Sequence, residues 1–142
     1  MKYLSILLGA LFISYCSHAQ CGKDAVLGIK KVTVLKDGAE MMQQEMLGSI
    51  SLSKDKIKLS ISFAGQEEII EGEITEVVLC EWKTFLINGK AGYKAMMKKG
   101  NETAKLSVIE IISDKDKLLV IFSEPDRSAG MQFEISDFIV KD

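Results

Sequence analysis

The chain of 142 residues carries 18 basic and 20 acidic side chains and one histidine, which gives it a formal net charge of −2. A near-neutral balance without a basic block argues against binding to nucleic acid or to an anionic membrane surface. No repeat, low-complexity tract or Gly/Ser linker divides the chain, so its length predicts one domain with a buried core after a leader.

Residues 1–19 have the pattern of a secretory signal peptide. Lys2 forms a short positive region, an apolar stretch over residues 4–15 follows it, and small residues occupy the −3 and −1 positions of a cut after Ala19. The apolar stretch is shorter than the roughly 20 residues of a membrane-spanning helix, which favours cleavage over retention as an anchor. We therefore expect a secreted or periplasmic protein of residues 20–142, with no transmembrane segment in the mature chain.

Cleavage after Ala19 removes His18, the only histidine of the chain. The mature protein would then lack the usual general base, a common zinc ligand and the side chain that titrates near neutral pH. Ser-His-Asp and Cys-His arrangements are excluded. The sequence therefore predicts no enzyme, no metal site and no cofactor.

The mature chain opens with a strand over residues 26–35 whose two faces are both partly apolar, which leaves its orientation open. After a turn at Asp37-Gly38, residues 39–47 fit two structures. A hairpin would need a β-bulge to bring Met41 into phase with Met46, because a one-residue slip exchanges the two faces of a strand. We favour a short helix or an irregular lid over residues 39–47.

Period-two alternation starts near residue 46 and predicts half-buried antiparallel strands. The residues expected to face inward on the first three of these strands are Met46, Gly48, Ile50 and Leu52, then Ile57, Leu59, Ile61 and Phe63, then Ile70, Gly72 and Ile74. Acidic residues between positions 67 and 76 alternate with the last set. They indicate a solvated strand face rather than a calcium site, because no turn there presents the six or more oxygens that calcium prefers.

Asn88-Gly89 lies between two β-prone runs and predicts a type I′ hairpin, because that turn needs positive φ at both central residues. A two-residue turn at this place sets Trp82 opposite Ala95. A second turn, of type II′ with glycine first, is predicted at Gly100-Asn101 and sets Ala95 opposite Leu106. Both turns give the intervening strand the same inward face, which consists of Tyr93, Ala95 and Met97.

Further strands follow, separated by a turn at residues 113–117 and a break at residues 124–130, and the last begins at Met131. The first of these turns would set Val108 opposite Phe122. The sequence thus predicts an all-β fold, an antiparallel up-and-down meander of about eight strands. Such a sheet either closes on itself or must protect its edges, and we favour a closed barrel.

Two cysteines, Cys21 and Cys80, remain after cleavage and would share an oxidising compartment. A disulfide between them would close a loop of about 60 residues. Cys80 could instead be a buried small hydrophobe on the inward face of its strand. Lipidation fits poorly at Cys16 and at Cys21, because neither cysteine follows the small residues that an acylation signal requires.

The candidate ligand-binding residues are the large side chains expected on the inner face: Trp82, Tyr93, Met97, Phe122 and Met46. In an eight-stranded barrel such residues either fill the interior or line a pocket for one small apolar ligand. A cavity is most expected beside Trp82 and Tyr93, where several residues of the neighbouring strand are small.

Leu27-Gly28-Ile29-Lys30, which follows the signal peptide and opens the meander, resembles the start of small secreted lipocalin-like (calycin) proteins. Their first strand begins with a Leu-Gly-x-Trp type of element, although Ile29 stands at the tryptophan position here. The resemblance implies a lipocalin-like barrel of eight strands that binds a small hydrophobic molecule or lipid. It transfers no site residues.

Two functions from different classes follow from these patterns. The first is a secreted or periplasmic binding protein that holds a small apolar ligand or lipid inside a β-barrel. The alternative is a non-enzymatic interaction or inhibitor module of the cell envelope whose core is solid and whose partner is a protein.

Overall fold

The protein, seen here in a computed structural model that describes residues 20–114 and 116–141, is a closed barrel of eight antiparallel strands. A single 3₁₀ turn at Gln20–Gly22 precedes the barrel. The strands are β1 (Asp24–Lys36), β2 (Ala39–Leu52), β3 (Lys56–Phe63), β4 (Gln66–Thr84), β5 (Asn88–Lys99), β6 (Lys105–Asp114), β7 (Lys117–Ser123) and β8 (Ala129–Lys141). Each strand pairs with its neighbours in chain order, and β8 closes the barrel on β1. The predicted all-β, eight-stranded meander is confirmed.

The predicted signal peptide, with Cys16 and His18, lies outside the described residues. Within the described part of the chain, no helix has the length and apolar character that crossing a membrane requires.

The two tightest hairpins lie at Asp37-Gly38 and Ala64-Gly65. Both central residues have positive φ in each of them, 52° and 80° in the first and 51° and 80° in the second. This is the type I′ geometry, which matches the twist of the flanking strands. The first of them lies where the sequence predicts a turn.

The prediction of a helix or lid over residues 39–47 is wrong, because these residues belong to β2 and pair with β1. Met42 pairs with Val34 and Glu40 with Leu35, which leaves Met41 as an extra residue. A second shift lies between the pairs of Ile29 and Lys31 with β2. These bulges supply the phase correction that a hairpin needs here, so tertiary pairing outweighs the helical spacing of the methionines.

β1 exchanges its faces at Lys30, which explains its two partly apolar sides. Ala25, Leu27 and Ile29 are buried before this point, and Val32 is buried after it. Lys30 lies at an irregularity in the pairing of β1 with β8, and its Nζ contacts Glu134 Oε1 at 3.1 Å. The bulge therefore places a lysine outside the barrel while both halves of the strand keep an inward face.

The predicted turn at Asn88-Gly89 is wrong, because the β4–β5 hairpin turns at residues 85–87. Thr84 pairs with Asn88, and the Ile87 N–H donates to the Thr84 carbonyl at 3.0 Å. Phe85 and Leu86 are buried, so the turn residues fold onto the end of the barrel. Burial of these two apolar side chains outweighs the local preference of the Asn-Gly pair.

At Trp82 the register of this hairpin differs from the predicted one by six residues, an even number, although bulges shift it elsewhere along β4. Trp82 pairs with Gly89 instead of Ala95. An even shift preserves the faces of a strand, so Trp82 still points inward, as do the three predicted residues of β5. These are Tyr93, Ala95 and Met97, which are all buried.

A turn does lie at Gly100-Asn101, where the Glu102 N–H donates to the Lys99 carbonyl at 3.0 Å and Gly100 has a φ of 55°, but the predicted pairing of β5 with β6 is wrong. The last pair is Met97 with Lys105, so the connection is longer and Tyr93 pairs with Ile109 instead of Val108. This one-residue slip turns the other face of β6 inward. The same slip sets Ile109, instead of Val108, opposite Phe122.

The charge of Glu110 explains why Ile109 and Ile111, rather than Val108, face inward on β6. Glu110 shares a face with Val108, and on the outside of the barrel its Oε1 accepts a 2.7 Å hydrogen bond from Arg127 Nη2. The predicted register would have placed this carboxylate inside the core, where an isolated charge is costly. Ile109 and Ile111 take the interior positions.

The short strand β3 leaves its two neighbours overhanging it at opposite ends of the barrel. β2 pairs with β3 only from Leu47 to Leu52, and β4 pairs with β3 only up to Glu73. We call residues 39–46 the β2 overhang and residues 75–84 the β4 overhang. Each is paired on one side only within the described sheet, the first with β1 and the second with β5.

Candidate functional site

Four of the five candidate ligand-binding residues lie in the core of the barrel. Trp82, Tyr93, Met97 and Phe122 are all buried. Tyr93 and Phe122 lie on either side of Ile109, because both are paired with it from opposite sides. Met97 lies further along β5, and Trp82 lies near the turn of the β4–β5 hairpin.

Met46, the fifth candidate, is separate from the other four. It is half-buried in β2 and lines a surface pocket of about 660 Å³ with residues of β1 and β8. It packs against the core from the middle of β2, as expected for an inward-facing residue, and it also lines this surface pocket.

Side chains of the barrel itself occupy the interior. The largest fully buried ones are Phe133, Leu27, Ile50, Ile57, Leu59, Leu86, Ile109, Ile111 and Val120. The rings of Phe122 and Phe133 meet edge to face with centroids 5.7 Å apart. Met97 fills the space beside Gly72, where any added Cβ would collide with its sulfur. These contacts are those of a packed core.

Four pockets lined by described residues open on the outside or at the ends of the barrel. They have volumes of about 230, 560, 660 and 240 Å³. None of these four is lined by Trp82, Tyr93, Met97 or Phe122. The predicted interior residues therefore belong to the packed core and do not line these four openings.

Two buried polar groups belong to this interior. Burial raises the pKa of the Tyr93 phenol to about 12, because the phenolate loses its hydration there. The indole Nε1 of Trp82 is buried and has no hydrogen-bond partner in the structure. Among the five candidate residues, this atom is the one buried polar group identified without a hydrogen bond. Leaving a buried N–H without an acceptor costs free energy.

A disulfide between Cys21 and Cys80 joins the 3₁₀ turn to β4, with Cα atoms 6.1 Å apart. Cys21 is buried, and Gly22 approaches Lys54 of the β2–β3 turn. Nearby, the ring of Phe85 stacks edge to face on Trp82 with centroids 5.6 Å apart. The turn and its disulfide therefore cover part of the β4 overhang and cap this end of the barrel.

At the other end, the β2 overhang is exposed along most of its length. Met41 is 63% exposed and Met42 is 58% exposed. Phe63, at the end of β3 that borders it, is 52% exposed. In the described chain β1 is the only strand that pairs with residues 39–46, so one row of backbone N–H and C=O groups faces outward.

This edge is not predicted by the sequence, because the pattern of residues 39–47 favours a helix or lid. One signal was available. Between Lys36 and Lys54 the chain contains no lysine, arginine or proline, the residues that commonly guard an exposed strand edge.

Comparisons with models of protein families, with curated proteins and with solved structures give no match to this chain.

The outer wall carries ion pairs between neighbouring strands. Lys94 contacts Glu76 at 3.3 Å and Lys99 contacts Glu68 at 3.0 Å, which raises the pKa of the Lys99 ammonium. Among the described residues, no group of three histidine, cysteine, aspartate or glutamate side chains is placed to hold a metal ion. The arrangement offers a packed core, a capped end and an exposed strand edge.

Proposed function

We propose that this protein is a non-enzymatic binding module of the secretory or periplasmic space that acts through its outer surface, with the barrel interior as a solid scaffold. The carrying observation is the filled interior. The large inward side chains contact one another, and the four pockets open elsewhere. A barrel of eight strands is just wide enough for its own side chains to fill it.

The disulfide supports the proposed location. Bonds of this kind form and persist in oxidising compartments and are rare in the cytosol. Cys21 lies two residues after the proposed cleavage site, so the cap would form from the first residues of the mature chain. Export through a signal peptide cleaved after Ala19 remains part of the proposal.

Trp82 provides the test, because it is the only tryptophan in the chain. We expect its fluorescence and the melting temperature of residues 20–142 to stay unchanged when fatty acids, retinol and haem are added. A saturable change in both quantities with any of these compounds would overturn the solid-core proposal.

A second candidate function is the one that the lipocalin-like resemblance implies, a carrier of a small apolar ligand inside the barrel. The unsatisfied Trp82 Nε1 favours it, because a ligand with a hydrogen-bond acceptor would satisfy this buried donor. The ligand would replace part of the core around Tyr93, Met97 and Phe122, and Met46 would lie at its entrance.

Substitution of Trp82 separates the two candidates. If Trp82 is core, Trp82→Ala should lower the free energy of unfolding by about 3–5 kcal/mol in urea denaturation. If the side chain lines a cavity, the loss should be much smaller. Val78→Ala is the matched control, because Val78 lies on the same strand and is exposed, so its loss should stay within about 0.5 kcal/mol.

A further inference from the structure

We propose that the β2 overhang, residues 39–46, is a docking edge that binds an extended, lysine- or arginine-bearing peptide segment of another protein by strand addition. This inference rests on the proposed surface function and names its partner chemistry. The carrying observation is the absence of a β3 partner along this segment, since the pairing of β2 with β3 stops at Leu47.

The free backbone determines the shape of the partner. An antiparallel strand directs about half of its N–H and C=O groups to each side, and those of residues 39–46 that face away from β1 have no partner strand among residues 20–114 and 116–141. Another extended chain satisfies such a row completely, as in the strand-addition complexes of many recognition domains. A helix or a flat surface would leave most of these groups unpaired.

The side chains add apolar contact at the same place. Met41 and Met42 are more than half exposed, and Phe63 stands exposed at the end of β3 beside the edge. Methionine side chains are flexible and adapt to different partners. A partner strand with alternating apolar residues would cover these side chains while it pairs with the backbone.

The charge of the edge determines the sign of the partner. Glu40 and Glu45 are its only ionisable residues, and Glu67 lies at the start of β4, just after the neighbouring turn. In β1, Lys31 stands opposite Glu45 and offsets its negative charge. Glu40 stands opposite the uncharged Leu35, so its charge is not offset by its pairing partner. A partner with lysine or arginine side chains therefore complements the edge.

The same charges argue against a second copy of this chain as the occupant. Pairing two β2 overhangs would bring both Glu40 residues and both Glu45 residues onto one pair of strands without a basic residue from either segment. Like charges on neighbouring strands destabilise a sheet. A basic segment of a different protein avoids this cost.

The probe for this edge is a labelled peptide of about eight residues that alternates lysine and valine, the length of an ordinary strand. Its binding to residues 20–142 is measured by fluorescence anisotropy, with a peptide of alternating glutamate and valine as the control. We expect saturable binding of the basic peptide only. Equal binding of the two peptides would overturn the assignment of a basic partner.

Amide hydrogen exchange of the unmodified protein locates the contact without any substitution. The basic peptide should slow exchange in residues 39–46 and leave the β4 overhang unchanged. Protection elsewhere, with residues 39–46 unaffected, would overturn the edge assignment. Protection of residues 39–46 that grows with protein concentration in the absence of peptide would also overturn it, in favour of self-association.

The double substitution Glu40→Lys and Glu45→Lys should weaken peptide binding about tenfold, because it replaces two favourable charge contacts with repulsion. Glu102→Lys is the matched control, since Glu102 is an exposed glutamate in the β5–β6 turn of the same barrel end. Equal loss in both would indicate general attraction to an acidic protein and would overturn the docking edge. If the protein binds neither the basic peptide nor the apolar ligands, the basic partner of the edge is overturned. The proposed surface function is then retained, because the apolar ligands still fail to bind the interior.

Discussion

The two overhangs both arise because β3 is short, but only one of them is covered by another segment of the described chain. The β4 overhang carries three register shifts against β5, and the 3₁₀ turn is tied to it by the Cys21–Cys80 disulfide. The β2 overhang has shifts against β1 but no covering segment in the described chain. Bulges and covering segments are the means by which proteins protect sheet edges. The difference indicates that one edge belongs to the stability of the barrel and the other is available for contact.

Removal of the disulfide should give the largest effect and should act on one overhang only. The cysteines are 59 residues apart, so the double substitution Cys21→Ala and Cys80→Ala should lower the free energy of unfolding by about 4 kcal/mol in urea denaturation. Amide exchange should accelerate in residues 75–84 and stay unchanged in residues 39–46. Equal acceleration at both overhangs would show that the cap serves the whole barrel and would remove the contrast.

Replacing a glycine by alanine should cost more stability at the capped end of the barrel than beside the β2 overhang. Gly89, in the capped hairpin, has a φ of 136°, and an added Cβ would lie 2.8 Å from Trp82 Cα, so Gly89→Ala should cost about 3 kcal/mol. Gly38, in the turn beside the β2 overhang, has a φ of 80° and open space around it, so Gly38→Ala should cost about 1 kcal/mol. Thermal denaturation of the two variants measures the difference, and a larger loss at Gly38 would contradict it.

Alkaline titration should affect both ends together, because Tyr93 lies in the shared core. Its folded pKa of about 12 exceeds the unfolded value of about 10, so its contribution to stability is complete below pH 10 and is lost as the pH rises to 12. The loss should reach about 2–3 kcal/mol and should disappear in Tyr93→Phe, which keeps every lysine.

Tyr93 is the only tyrosine of residues 20–142, so phenolate absorbance reports its ionisation directly. We expect this absorbance to rise together with amide exchange at both overhangs. Ionisation near pH 10 without unfolding would contradict the buried position of the phenol.

The smallest expected effect on stability is at the β2 overhang itself. The double substitution Glu40→Lys and Glu45→Lys replaces exposed side chains and should change the free energy of unfolding by no more than about 0.5 kcal/mol. A loss several times larger would mean that this edge supports the barrel, and the contrast between the overhangs would fail.

Much of the core was predictable from local pattern. Ile57, Leu59 and Ile61 alternate strictly with polar residues and are buried as expected. Tyr93 and Met97 also face inward as predicted, although the β4–β5 turn was misplaced and the β5–β6 pairing is slipped by one residue. At Trp82 the change of register is an even number of residues, and the alternation of β5 itself determines its inward face.

The errors occur where two local signals compete. Asn88-Gly89 favours a turn, but burial of Phe85 and Leu86 moves the turn earlier in the chain. The methionines of residues 39–47 fit a helix, but β1 offers this segment a strand partner. Burial and pairing depend on residues far away in the sequence, so local propensity could not decide either case.

The sequence by itself determined the fold class, the inward face of most strands and the pair of cysteines available for a bridge, because these follow from alternation, turn residues and composition. Only the tertiary structure decided that Cys21 lies within bonding distance of Cys80, that the candidate interior residues fill the barrel, and that β2 overhangs β3. These properties depend on how far each strand is shifted against its neighbours when the barrel closes. That stagger is a property of the whole sheet, and no single segment encodes it.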